Sequence, residues 1–174
     1  GKLRACVYSA DHAVVLPQQG RFRIAGQNGT ADINSRLVRL AGRYVAYSSK
    51  WTADSDSAHS TIRQRVYVYD ARFPDLKNRS DEHGDGAVEA LVLKPNGSAG
   101  WTFTSYPGSA LPDTITYVYK MDTTGDGEQQ LDESRTFGDP PHYSIDAGSL
   151  ALSANGKRLF WVRDPDGPQT AAIR

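Results

Sequence analysis

Residues 121–133 read MDTTGDGEQQLDE, and their oxygen-bearing side chains fall at a spacing that suits a metal ion. Counted from Asp122, the donors are Asp122, Thr124, Asp126, Glu128, Gln130 and Glu133. These are the first, third, fifth, seventh, ninth and twelfth positions of a twelve-residue calcium loop, and Gly127 holds the sixth, where the chain must turn sharply. Every donor is oxygen, so the ion such a loop would take is a hard cation, Ca2+. Two residues fit less well: Thr124 is a poor third ligand, and Gln129 stands where an aliphatic residue is usual. No helical pattern flanks the segment. The plainer reading is a turn at residues 123–127 between two strands, because Gly and Asp are the residues such turns use. The turn is the favoured reading; the metal reading, on Asp122, Thr124, Asp126, Glu128 and Glu133, stands beside it.

Other clusters carry less. Asp81, Glu82, His83 and Asp85 crowd one polar stretch, and Asp54, Asp56 and His59 another; both read as solvated loops. His12, His59, His83 and His142 are far apart, and nothing in the sequence pairs one with a nucleophile. Nucleophile elbow, phosphate loop and dinucleotide fingerprint are all missing, so no catalytic residue is assigned and the chain is expected not to be an enzyme. Asn28, Asn78 and Asn96 each sit in Asn-x-Ser/Thr, a glycan acceptor only in a eukaryotic secreted protein. Cys6 is alone, which rules out an intrachain disulfide and a zinc site built on several cysteines.

Composition bounds the partners. Of 174 residues, 39% are apolar and 23% charged, the balance of a globular chain. Lys plus Arg and Asp plus Glu number 20 each, so the broad positive field of a nucleic-acid binder is missing and none is expected as partner. No apolar run is long enough to span a bilayer as a helix. The sequence starts at Gly1 and its one methionine is Met121, which points to a removed leader or a cut piece; an exported protein, secreted, periplasmic or on the cell surface, is the expectation.

The elements that must position these groups are strands. The segments RQRVYVYD (63–70) and ITYVYKMD (115–122) alternate with period two, and Gly, Pro, Asn and Asp clusters divide many such runs. Three segments share one plan: LVRLAGRYVAYS (37–48), LVLKPNGSAGWTF (91–103) and LALSANGKRLFWV (150–162). Each is an apolar strand, a tight turn at Gly42, Gly97 or Gly156, then a strand rich in aromatics. Asn96-Gly97 and Asn155-Gly156 predict type I′ hairpins. A third strand ends each unit at Ser9, Asp70 or Asp122, and a poorer fourth follows Asp70 and Asp122. The unit is therefore a four-stranded antiparallel meander of roughly 55 residues. About three fit, with boundaries near 1–34 (partial), 35–86, 87–134 and 135–174 (partial). Tyr44, Tyr47, Trp101, Phe160 and Trp161 recur on the second strand and read as packing between units, whereas Trp51 is the expected exposed aromatic.

The segment LSANGKRLFWVRDPDGPQTAAI (152–173) resembles the repeat of TolB-type β-propellers through Ser153, Gly156, Lys157 and Phe160-Trp161, with Ala154-Asn155 where that family has Pro-Asp. The stretch at 91–101 keeps Pro95 and Gly97. The resemblance covers about two and a half units, implies four-stranded blades around a channel, and carries no catalytic residue. Closed propellers have four blades or more, so the expected all-β fold is part of a longer ring, half of a homodimeric ring, or a β-sandwich. The expected function is a non-enzymatic exported binding or scaffold module that recognises a protein or glycan through its inter-strand loops. The alternatives are an accessory propeller of a hydrolase and a calcium-stabilised adhesion module.

Overall fold

The computed structural model describes residues 4–7, 12–16, 20–24, 27–33, 37–53, 62–72, 75–106, 114–124, 127–136 and 144–174. Among them the chain is all-β, and no helix is long and apolar enough to cross a membrane. Strands β1 (Arg4–Val7) and β2 (His12–Val15) pair as a hairpin. The first sheet holds β3 (Gly20–Ile24), β4 (Gln27–Ile33), β5 (Arg39–Ala41), β6 (Tyr44–Ala53), β7 (Ile62–Asp70) and β8 (Asp75–Arg79). The middle sheet holds β9 (Gly86–Leu93), β10 (Ala99–Ser105), β11 (Thr114–Met121) and β12 (Glu128–Thr136); the last holds β13 (Ser144–Leu152), β14 (Arg158–Asp164) and β15 (Gly167–Ala172). Pairing is antiparallel between chain neighbours, except that β4 and β5 share one edge of β6.

The sheets stack face to face in chain order, because alternation gives each strand two usable faces. Tyr44, Ala46, Val66 and Val68 of the first sheet pack on Leu91, Trp101, Phe103, Tyr119 and Met121 of the middle one. The middle sheet's other face brings Ala90 and Val118 against Ile145, Leu150, Leu159, Trp161 and Ile173 of the last. On the far side of the first sheet, Leu16 covers Val45, Tyr47, Tyr67 and Tyr69. Four of the five recurring aromatics are buried as expected, and Phe160 is half-buried. Trp51 is half-buried too, with the Arg63 guanidinium 5.7 Å from its ring centre. Fully burying one side chain of this kind contributes about 1.5–3 kcal/mol, so the two joints hold the stack together.

Two expectations are corrected. The turns at Gly97 and Gly156 are not type I′: Gly97 N–H donates to Lys94 O, and Gly156 N–H to Ser153 O. The central pairs are thus Pro95-Asn96 and Ala154-Asn155, and each glycine follows them with positive φ, a type I turn closed by a glycine bulge. Pro95 explains the choice, since its ring fixes φ near −65°. The repeat is also offset. The ladder slips by one residue between Val68 and Tyr69 in β7–β8 and between Val118 and Tyr119 in β11–β12. Tyr67-Val68-Tyr69 therefore matches Tyr117-Val118-Tyr119, and Asp70 matches Lys120 rather than Asp122. Beside these, β3 and β4 extend the first sheet through β6, while β1 and β2 form a hairpin sheet of their own.

Candidate functional site

Met121 pairs with Glu128, so the suspected metal loop joins the ends of β11 and β12 as a hairpin connection. Asp122 is 4% exposed. Its Oδ2 accepts a hydrogen bond from Lys120 Nζ at 2.8 Å, and its Oδ1 accepts the Arg174 backbone N–H at 2.7 Å. Both oxygens thus grip protein. Lys120 Nζ also donates to Ala172 O at 3.0 Å, and Lys94 Nζ to Ile173 O at 2.9 Å. Ser98 Oγ accepts the Thr123 N–H and donates to Arg174 O. Two ammonium groups, one carboxylate and one hydroxyl therefore clasp the main chain at the end of β15 and beyond, residues 172–174, onto the middle sheet. Burial pulls the Lys94 pKa down, and the Asp122 charge opposes that pull.

The remaining metal candidates do not gather round Asp122. Thr124 is exposed, and Asp126 lies outside the described residues. Glu128 Oε2 accepts the Asp81 N–H at 3.0 Å and meets His83 Nε2 at 3.2 Å. Glu133 stands opposite Tyr117, roughly 13 Å up the strand from the rung at Met121, given about 3.3 Å per residue. Its carboxylate accepts from Arg135 Nε and Gln130 Nε2. Among the described residues no group of three or more His, Cys, Asp or Glu is placed to hold a metal ion.

Two polar clusters, around Glu128 and Asp132, knit the sheets together, and no sequence pattern assigns either of them that role. His83 lies between Phe103 and Tyr119, with ring centres 4.7 and 4.8 Å away, and its main chain bridges Gln64. With its Glu128 partner it forms a buried pair across the first joint. Asp132 does the same at the second joint: Oδ2 accepts Trp161 Nε1–H and Oδ1 accepts Arg163 Nη1, each at 2.7 Å. No spacing rule picks out such residues, because their partners lie 29 to 45 positions away. The rest of the acidic stretch scatters. Glu82 pairs with Arg63 and Arg65, while Asp85 offers its carbonyl to Tyr106. Asp54, Asp56, His59 and His142 fall outside the described residues.

The Ser153–Lys157 turn explains its own sequence. Ser153 Oγ accepts the N–H groups of Lys157 and Arg158, and Asn155 Oδ1 accepts the Lys157 N–H. An aspartate at 155 would serve the same way, so the Ser-x-Asn-Gly-Lys string is a turn device. Asn96 is used alike, its Oδ1 accepting the Ser98 N–H, and Asn78 donates to Asp122 O. No protein-family model matches this chain, and no curated protein matches it at a significant level.

Proposed function

We propose that this chain is a non-enzymatic, exported binding module built of propeller-like blades, which recognises a protein or glycan partner through its inter-strand loops and pairs with a second copy to complete a ring. One observation carries the reading. The first, middle and last sheets stack in chain order, and β9 lies against β5, β6 and β7 on one side and β13 on the other. Three sheets in one stack support the reading as successive blades. Glu128, His83 and Asp132 hold sheet to sheet, and recognition falls to the polar segments between strands.

A solid-phase screen against glycans and cell-surface proteins tests this. Replacing residues 107–113, which connect β10 to β11 in sequence, with a Gly-Ser linker should abolish capture of the selected partner while leaving the melting temperature within a few degrees. Capture that survives replacement of each long loop in turn would sink the reading.

A further inference from the structure

Three features of the surface bear on how two copies could meet. The first is Leu40, 66% exposed. It pairs with Val45, as Leu91 pairs with Trp101, so the two leucines hold equivalent places on the same face of successive sheets. Leu91 is 1% exposed because the first sheet lies on it. The second is a row of arginines on that same face of the first sheet. Register places Arg63 opposite Trp51, Arg65 opposite Ser49 and Arg79 opposite Tyr67. Glu82 binds Arg63 and Arg65, and Arg79 has no ion-pair partner among the described residues. Among the described residues, these three positive charges thus meet one negative. At the equivalent places of Arg65 and Arg79 the middle sheet has Ile115 and Glu133, so it lacks the row.

The third feature is the outward face of the last sheet. Val162, 38% exposed, stands between Asp146 and Pro168, with Ala151 and Phe160 beside it and Asp164 two residues on. The matching faces of the other two sheets are covered by the sheet that follows them. Asp146 and Asp164 lie at the end of the face remote from the Gly156 turn. Arg63 and Arg65 lie at the end of theirs remote from the Gly42 turn, so charges of opposite sign coincide if the stacking order simply continues.

We propose that the outward face of the last sheet packs on the Leu40 and arginine face of the first sheet of a second copy, and that two such joints close one dimer. Leu40 would meet the apolar patch around Val162, and the arginine row would meet Asp146 and Asp164, around the strip already covered by Leu16. This rests on the blade reading above and names its interface. Opposite charges here mainly fix the partner and the register, while the apolar contact supplies most of the affinity.

The test is molar mass by light scattering with sedimentation equilibrium, on the whole chain and on exposed-site variants checked for folding by thermal melts. The expected mass is near twice 19.0 kDa. Leu40→Glu and the double change Asp146→Lys with Asp164→Lys should each weaken dimerisation at least tenfold. Asp81→Lys, an exposed reversal away from both faces, should leave it unchanged. A dimer indifferent to both changes overturns this interface and leaves the ring reading standing. A monomer at high concentration overturns interface and ring together, and partner capture then judges the binding reading on its own.

Discussion

Replacing Asp132 with Ala should be among the costliest single changes outside the apolar core. Its carboxylate, 12% exposed, is the acceptor for Trp161 Nε1–H and Arg163 Nη1 and thereby ties β12 to β14. A hydrogen bond to a charged acceptor contributes about 1.5–3 kcal/mol, and removing the acceptor leaves the buried indole N–H unpaired. Arg163 is 29% exposed, so its pair is screened and adds at most about 1 kcal/mol. The sum is about 2–4 kcal/mol, which for a domain of this length lowers the melting temperature by roughly 5–15 °C. Urea unfolding followed by tryptophan fluorescence gives the loss directly. A double-mutant cycle with Trp161→Phe isolates the indole bond and should return a coupling of about 1–2 kcal/mol. A loss below about 0.5 kcal/mol for Asp132→Ala, or no coupling, would refute the reasoning.

Calcium should leave the melting temperature within about 1 °C of its value in chelator, because Lys120 and the Arg174 N–H occupy both oxygens of Asp122; a ligand at a hundred times its Kd would add about 2.7 kcal/mol, so a rise of several degrees restores the loop as a site. Gly97→Ala should cost about 1–3 kcal/mol by denaturant titration, since φ is +94° and the new Cβ would sit 3.2 Å from the Tyr44 ring; a neutral result would mean the turn relaxes freely. Alkaline pH should unfold the chain steeply. Burial raises the pKa of Tyr47, Tyr69 and Tyr119 above the usual 10.0, so their contribution is intact below about pH 10 and falls by about 1.4 kcal/mol per pH unit per tyrosine above it. Phenolate absorbance from these rings should appear only with loss of the β-sheet circular dichroism signal, and a gradual rise in the folded state would count against it.

Local pattern made much of the fold legible. Alternation alone placed β7 and β11, and Gly42, Gly97 and Gly156 marked the hairpins, because strand period and turn φ are properties of a few consecutive residues. The offset between Asp70 and Asp122 was not legible. It depends on where a bulge slips the ladder, and the YVY strings of the two third strands were the better guide than their terminal aspartates. The hydrogen bonds of the Asp122 carboxylate were not legible either, because spacing counts donors without seeing who takes them. Lys120, two residues away, and the Arg174 main chain, 52 away, take both oxygens. His83 sat in a stretch read as solvated, although its ring is buried between Phe103 and Tyr119. Nothing nearby in sequence announces those partners.

The buried charges in the joints pose a question of their own, since apolar faces of stacked sheets could slide past one another with little loss. Glu128 and His83, 8% and 9% exposed, cross the first joint where only one register lets them meet. Glu128→Leu alone should cost about 2–4 kcal/mol, because it strips the acceptor from both His83 and the Asp81 N–H. Joined to His83→Phe it should cost far less. The phenyl ring keeps the stack between Phe103 and Tyr119, the exposed Asp81 N–H can turn to water, and an apolar pair in place of a buried ionic one is often neutral. If the pair exists for register, the double variant should recover stability yet show a lower m-value and broadened amide resonances in β8 and β12. A double variant as unstable as the single would mean that the pair stabilises outright. One that is stable and equally well ordered would mean that packing alone sets the register.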